Sequence, residues 1–288
     1  MGSHAHTRRK KAVMAATAGA AAISALVALS LGTNAMAGEA QPDQKAKVEV
    51  RAATASDANA DAGWTLRWSP DPVKDGLEAF EGVEDDRAGS DPGVKHIYVE
   101  DGAYRFDMPL EERDSSPDRQ RNEVKGMSAE GRDLTISEGE TWRFTDSLFI
   151  PSSLEATSSF THIMQFKMPG AGSGPIIVMS LRQHDGKPTI ELNSALSGRI
   201  VGRTDLAPLQ NKWIGFDLQI TFGDGDGKIR WVVTDGSSTV ADASASGLDT
   251  WLGERARPKW GIYRSLKDSA HLKNTYLLVK DLKAYQQT

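Results

Sequence analysis

In Trp213-Ile214-Gly215-Phe216-Asp217-Leu218-Gln219-Ile220-Thr221-Phe222, apolar and polar residues alternate from Ile214 onward. A β-strand turns successive side chains to opposite faces. Ile214, Phe216, Leu218, Ile220 and Phe222 therefore share one face, and Asp217, Gln219 and Thr221 share the other. Such a strand lies with one side on a core and one side in water. The glycine- and aspartate-rich run Gly223 to Gly227 turns it into Lys228 to Thr234, and Asp235-Gly236 makes the next turn.

The same pattern extends in both directions. Ile97-Tyr98-Val99 and Ala103 to Asp107 flank Glu100-Asp101-Gly102, a hairpin turn with Asp-Gly chemistry. Trp142, Phe144, Leu148 and Ile150 mark another strand. Ile176-Ile177-Val178-Met179 is a continuous apolar run, as in a central strand covered on both faces. Asp185-Gly186 follows as a turn, and Thr275 to Tyr285 supplies the last strand region. Many strands joined by short turns, with no convincing helix after the amino-terminal segment, predict an all-β sandwich or jelly roll.

The first residues stand apart. Arg8-Arg9-Lys10-Lys11 precede an apolar run from Ala12 to Leu31, and Ala35-Met36-Ala37 forms a small-x-small site. That layout predicts a signal peptide at 1–37, cleavage after Ala37, and a secreted chain with no membrane association afterwards. Residues 38–62 lack any aromatic side chain and read as a disordered leader. Residues 63–288 remain as one domain, expected as a monomer.

The 288-residue chain carries a formal charge of −5. Without the four cations of the signal segment it holds 30 Lys and Arg against 39 Asp and Glu, near −9. That balance argues against nucleic acid as a partner, because such binding rests on neutralising phosphates. It does not exclude an anionic polysaccharide, where local placement of cations decides. Cysteine is absent, so disulfides and thiolate chemistry are excluded.

Two segments suggest a site. In Pro258-Lys259-Trp260-Gly261-Ile262-Tyr263-Arg264, alternation puts Lys259, Gly261 and Tyr263 on one face. Gly261 would leave open space beside Tyr263 in which a polymer lies. In Thr161-His162-Ile163-Met164-Gln165-Phe166-Lys167, Gln165 and Lys167 share a face. His162 falls with Phe160, Met164, Phe166 and Met168, which predicts a hydrogen-bonded core histidine.

Four ordered segments make the chain similar to the jelly-roll polysaccharide lyases of the heparin-lyase-like and glucuronan-lyase-like group. Arg121-Asn122-Glu123-Val124 resembles the group's Arg-x-Glu-aliphatic strand. Gln165-Phe166-Lys167 stands where Gln-x-His is usual. Asn211-Lys212-Trp213 through Asp217 resembles its Trp-x-x-x-Asp strand, and Lys259 to Arg264 its Lys-x-Gly-x-Tyr strand. The resemblance implies a concanavalin-A-like two-sheet jelly roll and a lyase that cleaves a uronic-acid polysaccharide by β-elimination. It also implies residue roles. Tyr263 would transfer protons, and Gln165 and Arg121 would neutralise the uronate carboxylate. Lys259 would contact substrate or lower the pKa of the tyrosine, and Glu123 would orient Arg121. Lys167, in the histidine's place, would bind substrate or neutralise charge.

Such chemistry needs the carboxylate neutralised as the weakly acidic C5 proton leaves. A tyrosine's ordinary pKa of roughly 10 makes it a ready acid and, unaided, a poor base. Arg105, opposite in face to Tyr104 and Phe106, is a further candidate substrate cation. No cofactor is expected. Asp224-Gly225-Asp226-Gly227 invites calcium but lacks the remaining ligands of an EF-hand loop, and a hairpin turn explains it. Two alternatives stand beside the lyase. One is a carbohydrate-binding jelly roll without chemistry. The other is a glycoside hydrolase, for which no strand shows a Glu-x-Asp-x-x-Glu arrangement.

Overall fold

The computed structural model describes residues 63–170 and 174–288. The signal segment and leader expected at 1–37 and 38–62 lie outside them. Two antiparallel sheets pack face to face.

The eight-stranded sheet runs, in spatial order, β15 (Ser238–Leu248), β14 (Gly227–Asp235), β13 (Trp213–Thr221), β8 (Thr141–Phe149), β17 (Thr275–Gln287), β4 (Ala103–Met108) and β3 (Ile97–Glu100). β1 (Trp64–Trp68) also pairs with β17. The seven-stranded sheet runs β12 (Arg199–Asp205), β11 (Lys187–Ser194), β10 (Pro175–His184), β9 (Thr161–Lys167), β16 (Arg257–Ser265), β5 (Arg119–Lys125) and β2 (Gly82–Glu84). β6 (Ser128–Ala129) and β7 (Arg132–Asp133) form a separate small ribbon. Helix among the described residues is limited to the four-residue α1 (Pro72–Asp75) and three single 3-10 turns.

The alternation of β13 is kept in full, with Ile214, Phe216, Leu218 and Ile220 buried and the intervening residues half-buried. They belong to one buried core with Phe166 of β9, Met179 and Leu181 of β10, and Trp260 and Ile262 of β16. Trp142, Trp231 and Trp260 are the largest fully buried side chains. The Trp260 indole N–H is satisfied across the sandwich by Asp146 Oδ2 of β8, at 3.0 Å. Asp185 and Gly186 both adopt positive φ, 51° and 75°, as a two-residue hairpin turn requires.

Two irregularities shape the outer face of the seven-stranded sheet. From Phe166 to Met164, β9 pairs regularly with Ile177 to Met179 of β10, but the next pair is His162 with Ser180, so Ile163 is an extra residue. Ile163 and Met164 both turn into the core. On the other side, Trp260 pairs with Met164 and Tyr263 with His162, so Gly261 and Ile262 oppose Ile163 alone. β-bulges of this kind re-aim the side chains that follow them.

Candidate active site

The bulge at Ile163 reverses the parity on which the placement of His162 rested. His162 is not among the core side chains. It stands on the outer face beside Tyr263, ring centroids 5.8 Å apart, and shares a 2.7 Å hydrogen bond between Nδ1 and Ser180 Oγ. Phe160 stacks on the imidazole at 4.9 Å and packs against the Tyr263 ring at 5.0 Å. Burial drives the His162 pKa down to about 4; Glu123 opposes this, and Arg182, Arg121 and Lys259 add to it. His162 is therefore a neutral imidazole at neutral pH.

Tyr263 is half-buried and held from two sides. Arg119 Nη1 donates to its hydroxyl at 2.7 Å, and the Arg121 guanidinium lies 3.6 Å over its ring. Arg119 is itself fastened to Asp118 at 2.8 Å.

Beneath this pair, Glu123 collects three of the other predicted residues. Gln165 Nε2 donates to Glu123 Oε1 at 2.6 Å. Arg121 Nη1 and Lys259 Nζ donate to Glu123 Oε2 at 2.7 and 2.6 Å. Arg121 Nε also reaches Asp114 at 3.1 Å, and Lys259 reaches Glu84 at 2.5 Å. Burial alone would raise the Glu84 pKa, but Lys259, Arg121 and Lys125 together bring it to about 2. For Arg121, the cost of burial is outweighed by Glu123, Asp114 and Glu84, which hold it protonated. Breaking one member of such a buried network leaves an uncompensated charge, typically worth about 3–5 kcal/mol.

Arg121, Glu123, Gln165, Lys259 and Tyr263 are thus gathered on one face. Their exposure differs: Lys259 and Gln165 are each 2% exposed, so Lys259 is an internal counter-ion to two carboxylates. Lys167 sits half-buried at the rim and donates to Gly170 O at 3.1 Å. Burial first, then Lys259, Arg121 and Arg257, lower its pKa.

Two further expectations are corrected. Arg105 is on the other sheet, bonded to Glu100 and Asp107 at 2.8 Å and stacked 4.1 Å over Tyr276. Alternation along β4 fixed its face but carried no information about which sheet the strand joins. Gly261 leaves no space for a polymer. With φ of 133°, a Cβ there would collide with the Asn122 carbonyl and the Glu123 backbone, and with Phe106 in the core. It is a close-approach glycine at the bulge.

Sequence reasoning missed Arg119, Ser180 and the placement of His162. The spacing Arg119, Arg121, Glu123 along β5 carried the signal for the first. The other three histidines among the described residues lie outside this cluster: His184 bonds Glu191, His96 bonds Asp85, and His271 bonds Glu155.

No family model matches the sequence, and neither does any curated protein. Solved structures do match. A marine alginate lyase from Aplysia kurodai is 13% identical, with 76% of this chain and 98% of that chain covered and a TM-score of 0.51. An endo-β-1,4-glucuronan lyase from Trichoderma reesei is 16% identical over 76% and 95%, with a TM-score of 0.48. An alginate lyase from Klebsiella pneumoniae is 14% identical over 77% and 95%, with a TM-score of 0.44. At such identities the likeness is one of architecture. The chain has the jelly-roll fold of the polysaccharide lyases.

Proposed function

We propose that this chain is an exported polysaccharide lyase that cleaves a uronic-acid polymer by β-elimination on the outer face of the seven-stranded sheet. One observation carries the reading: a tyrosine hydroxyl bonded by Arg119 stands next to a neutral imidazole, above a carboxylate-anchored set of guanidinium and amide donors. The fold shared with alginate and glucuronan lyases supports it.

In the reaction, the C5–H bond breaks, its electron pair forms the C4–C5 double bond, and the C4–O4 bond breaks with protonation of O4. His162, uncharged and oriented by Ser180, accepts the C5 proton. Tyr263 gives its own proton to O4, while the N–H donated by Arg119 supports the charge left on the phenol oxygen. Arg121 and the rim cation Lys167 offset charge on the uronate carboxylate, and Gln165, as buried as Lys259, acts by holding Glu123 in place.

Ultraviolet absorbance of the new double bond tests this on glucuronan, alginate and heparin-type polymers. The expected result is turnover of at least one polymer. Tyr263→Phe should cut it about 10²–10⁴-fold with polymer binding nearly intact. Binding without absorbance on any polymer removes the lyase and leaves the second reading, a carbohydrate-binding jelly roll. That reading draws on Gln165 and Arg121 being committed to Glu123 and Asp114, and on lysine replacing the usual histidine.

A further inference from the structure

A hollow of about 650 Å³ is formed by residues of the eight-stranded sheet and of the β12 edge, with no residue of the Tyr263 cluster in its lining. Three cations, Arg199, Lys228 and Arg230, line it, and no acidic side chain does. This contrasts with the chain as a whole, whose acids outnumber its bases by 39 to 34. Arg230 is bonded to Asp242 at 2.9 Å just outside the hollow. Arg199 and Lys228 are exposed, and neither has an ion-pair partner among the described residues.

The rest of the lining suits a sugar. Register lays Thr221, Lys228 and Ser246 in one transverse row and Gln219, Arg230 and Ser244 in the next. The rows present hydroxyls, an amide and cations at the 4.7–4.9 Å spacing of neighbouring strands. At one end stands Trp64, half-buried, with no other ring packed on it among the described residues. An amphipathic ring beside convergent polar groups is the usual make-up of a small-molecule or glycan site.

We propose that this hollow is an accessory binding site for an acidic oligosaccharide segment. Arg199 and Lys228 pair with its carboxylates, Gln219 and the serines meet its hydroxyls, and Trp64 packs against a sugar face. The lining charge complements a polyanion where the overall charge repels one. The proposal is independent of whether the Tyr263 cluster is catalytic.

Native gel electrophoresis of the full chain through gels containing alginate, polyglucuronate or neutral dextran tests it. The acidic polymers, and not dextran, should retard the protein. Arg199→Ser combined with Lys228→Ser should weaken that retardation at least fivefold, and the charge-neutral Trp64→Ala or Gln219→Ala should weaken it too. Lys95→Ser with Lys187→Ser, the same charge change elsewhere, should leave it unaltered. Unchanged retardation in the hollow variants, equal loss in the control pair, no retardation by either acidic polymer, or equal retardation by polyuridylate RNA would each overturn it. Thermal midpoints close to that of the parent show that the variants are folded.

Discussion

As pH falls, His162 gains its proton at about 4, well before Glu84 gains one at about 2. The unfolded chain takes up the imidazole proton near the ordinary value of about 6.5. Between these values the unfolded state binds more protons, so this residue's stabilising contribution is complete above about 6.5 and is lost on acidification toward 4. Urea midpoints of the parent should therefore decline over that window, and His162→Gln should flatten the decline. The same titration should set the acid limb of turnover near pH 4, and that limb should vanish with the residual activity of the variant. At this scale the candidate residues were legible where motif spacing named them, as for Tyr263 and Gln165. For Arg119 the two-residue spacing to Arg121 shows the face, but not the contact with Tyr263, which is diagonal: β16 pairs Tyr263 with Arg121 and Ser265 with Arg119.

The element that matters most is the doubly irregular ladder of β9 between β10 and β16. Strand β13 could be read directly because every residue keeps its turn in the alternation. β9 could not, since one extra residue at Ile163 moves His162 to the face of Gln165, three positions away. Nothing in Thr161 to Lys167 marks that insertion; the visible trace is Gly261 on the neighbouring strand. Gly261→Ala forces a side chain against the β5 backbone at a φ that only glycine holds easily. The expected cost is about 1–3 kcal/mol, read as a lowered thermal midpoint. Turnover should fall further than the folded fraction does, because the bulge sets His162 opposite Tyr263. Loss of stability with full specific activity would show the bulge to be irrelevant to the chemistry.

Across the whole molecule, the two sheets meet over a core that contains one carboxyl group in an unusual state. Asp146 accepts from Trp260 through Oδ2, while Oδ1 has no partner. Burial, partly opposed by the Trp260 N–H, raises its pKa to about 7. A carboxyl raised in the folded state contributes stability that is complete below about 4 and lost as pH rises through 7. Glu112, raised to about 8 mainly by burial, acts in the same direction. Asp146→Asn should remove its share. The difference in urea midpoint between parent and variant should shift in the variant's favour between pH 5 and pH 8. A constant difference would mean that Asp146 is ionised in the fold. The sandwich itself was readable from alternation and Asp-Gly turns, because those are local. Which strands neighbour one another was not, as Arg105 illustrates.

That neighbour order has a consequence for biosynthesis. The strand built from residues 275–287 is the seam of its sheet, bonded to β8 on one side and to β4 and β1 on the other. A ribosome delivers it after all its partners, so an emerging chain must keep three strands waiting with open edges. Closure of this sheet is therefore a late event, set by the arrival of its last strand and not by the hairpins that precede it.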